Sequence, residues 1–227
     1  MSTTTSRTPE VRPPRRDGPG ERRILLTGIG PELYEAIAAS RGDDPTPRLA
    51  WLDGDLELMS PSPEHDDLAE LLSDLVKMVA DALGLDCRPL RTTTWRRLGL
   101  GRSKEADACF FFTGPAATLG RGQLDLKALP PPDLAIEVEI SPPEVDVEQL
   151  YAGLGVPELW RHDGERLRIL HLGPDGRYAA HDRSRHIPRL RVDDAMAQLA
   201  KADTLPSRAW RSEVGRWARE ELADRPD

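Results

Sequence analysis

The sequence predicts an α+β domain, a mixed or mostly antiparallel sheet with helices packed on it. Three observations lead there. One stretch, "SPSPEHDDLAELLSDLVKMVADALGL", is strongly periodic and reads as a long amphipathic helix. Several short apolar runs separated by Gly and Pro read as strands, and two helical stretches close the chain.

Residues 1–22 are rich in Pro, Gly, Ser, Thr and Arg with almost no apolar side chains, so they are expected to be disordered. The globular part begins near "RILLTGIG", and "PELYEAIAAS" then predicts a short helix with Pro31 in its first turn. In "RLAWLDGDLELMS" the Asp-Gly pair between two apolar runs predicts a tight hairpin, because such a turn needs positive φ. The long helix follows: Ser62 caps it, Pro63 suits its first position, Glu64 sits in the favourable first turn and Gly84 ends it. Leu68, Leu71, Leu72, Leu75, Val76, Val79 and Leu83 give it one packed face.

Short strands are then expected in "CRPLRTTTWRRL", "EADACFFF", "DLAIEVEI", "ELWRHD" and "RLRILHL", with a short helix in "VDVEQLYAGLG". Helices in "VDDAMAQLAKA" and "LPSRAWRSEVGRWAREEL" finish the chain, the last with Trp210, Val214 and Trp217 on one face. The expected division is a tail over 1–22, a domain over 23–190, and a helical extension packed on it over 191–227.

The bulk numbers narrow the function. At 227 residues the chain is long enough for one stable core. A net charge of -8 argues against broad, non-specific polyanion binding, though a local basic groove is not excluded. Cys87 and Cys109 form neither a metal-ligand pair nor a disulfide framework, which suits a reducing compartment. No apolar run reaches membrane-spanning length and the first residues lack an apolar signal core, so a cytoplasmic protein with no membrane partner is expected.

The unusual feature is the acidic strand "PPDLAIEVEISPPE". Period two puts Leu134, Ile136, Val138 and Ile140 on one face and Asp133, Ala135, Glu137 and Glu139 on the other. Two like charges one pleat apart repel unless a cation sits between them. Either arginines of a neighbouring strand solvate this face, or the carboxylates converge on a site. "SKEADACFFF" adds Asp107 at the head of another strand, and Asp107 with Glu137 would offer two hard oxygen ligands of the kind Mg²⁺ accepts.

In "LAWLDGDLELMSPSPEH", "KEADACFFF", "PPDLAIEVEIS" and "LYAGLGVPELWRHDG" the chain resembles the Uma2 family, a bacterial group related to PD-(D/E)XK restriction-type nucleases. The resemblance runs from about residue 24 to 190. It implies a restriction-endonuclease-like α/β core with a mixed central sheet flanked by helices. It further implies that Asp107 and Glu137 match the two acids that hold a divalent metal, Mg²⁺ or Mn²⁺, for phosphodiester hydrolysis of DNA. His65 matches a frequent family histidine and is a candidate catalytic residue, and Glu57 is a candidate outer ligand; a helix cap and a hairpin surface residue are their plainer roles.

The chain departs from that pattern twice. Ala106 replaces the proline before the first acid, and Glu139 stands where the superfamily has its lysine, with no lysine between Lys127 and Lys201. Three outcomes follow: Glu139 substitutes as a ligand or water-orienting base, which is the expected one; Lys104 or an arginine of "RTTTWRR" reaches the site; or catalysis is lost. The basic run holding Arg91, Arg96, Arg97 and Lys104, with Trp95 among them, is the candidate phosphate-backbone contact, or else a solvated strand. Double-strand cleavage would suit a homodimer. The expected function is a metal-dependent endonuclease; the alternative is an inactive nuclease-fold protein that binds nucleic acid or protein.

Overall fold

The structure is a computed structural model and describes residues 10–12, 20–42, 44–90, 94–118, 120 and 129–226. The chain begins with β1 (Glu10–Arg12), β2 (Arg22–Thr27), α1 (Pro31–Arg41), β3 (Arg48–Leu52), β4 (Asp55–Ser60) and α2 (Pro63–Ala82). Next come β5 (Arg88–Leu90), β6 (Thr94–Arg97), β7 (Arg102–Glu105), β8 (Ala108–Phe111) and the short α3 (Gly114–Thr118). The last part holds β9 (Leu134–Val138), α4 (Val147–Leu154), β10 (Glu158–His162), β11 (Leu167–Leu172), β12 (Tyr178–His181), α5 (Val192–Ala202) and α6 (Ser207–Trp217). A π-helical turn, Ala218–Leu222, continues the final helix.

The strands fall into two six-stranded sheets, which the sequence pattern does not separate. The first, in the order β1-β2-β4-β3-β7-β6, is antiparallel throughout. The second, β12-β11-β10-β9-β8-β5, is mixed: β9 and β10 run parallel and the other neighbours antiparallel. α4 makes the crossover that a parallel pair requires. The hairpin forms as expected, with Asp53 at φ 50° and Gly54 at φ 96° joining β3 to β4.

α2 follows the sequence closely. Ser62 accepts a hydrogen bond from the His65 N–H, Pro63 opens the helix, and Gly84 at φ 68° lies just past its end. Its face of Leu72, Leu75, Val76 and Val79 is fully buried against Phe110, Leu134, Ile136 and Trp160 of the second sheet. Each such side chain contributes about 1.5–3 kcal/mol on burial. Trp210, Val214 and Trp217 join this core, so the stretch after residue 191 shares it.

The other face of the second sheet packs, through Cys109, Phe111, Ala135 and Leu159, on α4 and on Leu25, Ala50 and Trp95 of the first sheet. α4 therefore lies between the two sheets. α1 covers the outer face of the first sheet, where Tyr34 stacks on Trp51 at 4.8 Å. The expected disordered tail needs correction where it is described. Glu10–Arg12 is a strand paired with β2, and Glu21 is buried. Glu21, Arg23 and Leu25 alternate in period two, a signal that tail-like composition overrides.

Candidate active site at the seam between the sheets

The chain leaves the first sheet at Glu105 and enters the second at Ala108, so Ala106 and Asp107 bridge the seam. β8 pairs with β9 in the register Ala108↔Ile136, and the next pair outward along that ladder is Asp107 and Glu137. Both are buried. The inner face of the first sheet opposes them with Arg23, Arg48, Glu57 and Lys104, which the ladders Arg23↔Met59, Arg48↔Met59, Leu25↔Glu57, Ala50↔Glu57 and Ala50↔Lys104 place on one side.

Each acid meets a definite set of partners. Asp107 Oδ2 accepts the Val138 backbone N–H at 2.7 Å. Asp107 Oδ1 faces the Arg48 guanidinium and lies 3.1 Å from His65 Nε2. His65, in the first turn of α2, is fully buried; its Nδ1–H donates to Glu21 at 3.2 Å and its Nε2 accepts from Arg48 Nη1 at 2.8 Å. Arg48 also reaches out to the exposed Asp66 at 2.9 Å.

Glu137 is held by Lys104 Nζ at 2.7 Å and by the Tyr151 hydroxyl of α4. Burial, reinforced by Glu137, keeps the Tyr151 phenol well above its ordinary pKa, so it acts as a donor. Glu139 is gripped bidentately by Arg161 of β10, at 3.1 and 2.6 Å. Burial pushes the Glu139 carboxyl up despite that arginine. Glu57 takes Arg23 at 2.6 Å and the Glu144 backbone N–H. Arg23 also ties down Glu21, at 2.6 Å.

These contacts correct several expectations. Asp107, Glu137 and Glu139 do not share one open gap, because each carries its own cation. Among the described residues no three His, Cys, Asp or Glu side chains are grouped to hold a metal ion, and Glu57 is engaged by Arg23 and the Glu144 N–H. Glu139, expected in place of the lysine, is occupied by Arg161, while the lysine that reaches Glu137 comes from the other sheet as Lys104. Lys104 is itself buried and so cannot track a phosphate backbone.

The basic run also forms no single stripe. Arg91 lies outside the described residues. Arg96 and Arg97 are exposed but, as neighbours on a strand, point to opposite faces. Arg96 lines a cavity with Arg41, Thr94 and Glu105, whereas Arg97 approaches Gly155 at the end of α4. Trp95 is buried edge-on to Phe111, 5.9 Å between ring centres, and offers no stacking platform.

The sequence profile of the Uma2 family, described as "Putative restriction endonuclease", matches residues 31–204. The chain belongs to the Uma2 family. That description supports a nuclease role for this Uma2 chain, whose seam brings two acids and a lysine together. Among solved structures, "a putative nuclease belonging to DUF820" from Anabaena variabilis is similar, at 14% identity, over 66% of this chain and 90% of that one, with a TM-score of 0.43. No curated protein matches. No helix of this Uma2 protein, among the described residues, is long and apolar enough to cross a membrane.

Proposed function

We propose that the protein is a metal-dependent endonuclease that hydrolyses phosphodiester bonds of DNA. The observation that carries this reading is Lys104 Nζ at 2.7 Å from Glu137, with Asp107 opposite on the neighbouring strand. Two sheets thus assemble an acid, acid and lysine set that no single stretch of sequence contains.

The residues fit a hard divalent cation at one point in particular. Asp107 Oδ1 is buried and accepts no hydrogen bond of proper geometry, although the Arg48 guanidinium lies against it. Asp107 and, opposite it, Glu137 would hold Mg²⁺ or Mn²⁺. Such an ion lowers the pKa of a bound water and neutralises charge that builds on a phosphate. The chain's own groups do the remainder. Lys104 supplies a fixed positive charge beside Glu137, Tyr151 orients that carboxylate by donating to it, and Val138 N–H fixes the Asp107 rotamer. Arg161 forms part of the wall of a polar cleft of about 780 Å³ that also holds Arg177 and Tyr178, and reaches back to Glu139.

Plasmid nicking by purified protein in Mg²⁺ or Mn²⁺ tests the proposal. Activity lost in Asp107→Ala and in Lys104→Met supports it; intact plasmid with every metal overturns it. The full pairing of each seam acid with a cation favours a second reading, an inactive nuclease-fold interaction module. DNA binding that is insensitive to Lys104→Met and unaccompanied by nicking would select that one.

A further inference from the structure

The nuclease reading gives Arg48 no role and His65 none beyond its match to a family histidine, yet both meet Asp107 at the seam. His65 is fixed in one tautomer: Glu21 takes its Nδ1–H, so Nε2 carries the lone pair and faces Arg48 and Asp107. A carboxylate on the far nitrogen is the arrangement that orients metal-binding histidines and raises their basicity. The 3.1 Å between His65 Nε2 and Asp107 Oδ1 is also informative. Two ligands at right angles on an octahedral ion with bonds of about 2.1 Å lie about 3 Å apart.

Formal charge points the same way. Within the seam Glu21, Glu57, Asp107 and Glu137 oppose Arg23 and Lys104, a balance of two negative charges. Arg48 cancels half of it; a divalent ion cancels it in full. Arg48 is also the cation able to leave, since its other end is already held by Asp66, whose side chain is 57% exposed. Among the described residues Arg23 and Lys104 pair with no exposed carboxylate, and their side chains are 7% and 5% exposed against 11% for Arg48.

We propose that Arg48 is a built-in substitute cation, and that a divalent metal binds by replacing it between Asp107 Oδ1 and His65 Nε2. The inference rests on the nuclease reading for Asp107 and adds His65 as a nitrogen ligand and Arg48 as the group that sets how much metal is needed. Asp66 receives the displaced guanidinium.

The test is Mn²⁺ binding to the full chain, followed by the electron paramagnetic resonance signal of the free ion, with electron spin-echo modulation to detect ¹⁴N coupling from an imidazole. Wild-type protein should show ¹⁴N coupling that disappears in His65→Gln. Arg48→Met should bind Mn²⁺ at least about tenfold more tightly, because the competitor is gone, and adding His65→Gln should remove that gain. Bound Mn²⁺ without ¹⁴N coupling, an Arg48→Met affinity equal to or weaker than wild type, or no Mn²⁺ binding by either protein overturns the inference. If Arg48→Met does not fold, the wild-type coupling decides alone. Plasmid nicking separates the two readings: nicking with no ¹⁴N coupling sinks the Arg48 exchange and leaves the nuclease, whereas ¹⁴N coupling with no nicking leaves the metal site and sinks the nuclease.

Discussion

The two faces of the β8–β9 pair differ in kind. Toward α2 the strands present Ala108, Phe110, Leu134, Ile136 and Val138, an unbroken apolar surface. Toward the first sheet they present Cys109 and Ala135 and, at the end of the ladder, Asp107 and Glu137 against Arg48 and Lys104. Both faces are equally dry, but only the first is a good way to stabilise a fold. Desolvating a charge costs several kcal/mol, and a buried pair regains that only with excellent geometry, so well-packed apolar residues often do as well or better. By that reckoning well-packed apolar residues would stabilise the seam at least as well as its charges do.

The strongest way to break this comparison is to make the seam apolar. Glu137→Leu alone strands the Lys104 ammonium and should lose about 3–5 kcal/mol in urea denaturation. Glu137→Leu with Lys104→Met should recover most of that loss while nicking stays absent. Phe110→Ala on the other face should also lose about 3–5 kcal/mol, with nicking retained below its melting temperature. A double variant as unstable as Glu137→Leu would show that the seam charges are structural after all.

A smaller effect is expected where α4 meets the first sheet. Gly153 lies inside the helix, where alanine is normally better by about 1 kcal/mol. Here a Cβ would come within 2.0 Å of Arg102 Nε and 2.2 Å of its Cδ. Gly153→Ala should therefore destabilise by about 1–3 kcal/mol. With Arg102→Ala in place, the same change should turn stabilising. A double-mutant cycle by thermal melts checks it, and additivity of the two changes would mean that Arg102 moves aside freely.

The apolar face was legible and the charged one only half so, for a physical reason. Apolar burial follows periodicity, so Leu72, Val76 and Val79 announce α2, and Asp-Gly announces the β3–β4 turn. The pleat likewise placed Glu137 and Glu139 on one side. Their partners come from far along the chain: Lys104 and Arg161 to these acids, Arg48 to Asp107, Glu21 to His65. Nothing local says which arginine crosses to which carboxylate. His65 did carry a signal, since it falls in helical register with Ala69, Leu72 and Val76 and so had to face inward.

The last effect shows only in acid and separates two carboxylates of the same seam. Burial alone would raise the Glu21 carboxyl, but the hydrogen bond from His65, with Arg23 and Ser141, outweighs it and holds the pKa near about 2 instead of 4.5. A carboxyl whose folded pKa is depressed contributes stability above its unfolded pKa and loses it as the pH falls through the folded one. Glu21 therefore adds to the loss of stability between pH 4.5 and about 2. Glu139 runs the other way: burial dominates Arg161, the carboxyl is raised, and the folded state takes that proton first, so acid favours folding at this position. Glu21→Gln should flatten the acid limb of a stability–pH curve measured in urea, and Glu139→Gln should steepen it. Equal slopes in both variants would mean that the seam is wet enough to level its two acids, and the contrast with the dry face opposite would go with it.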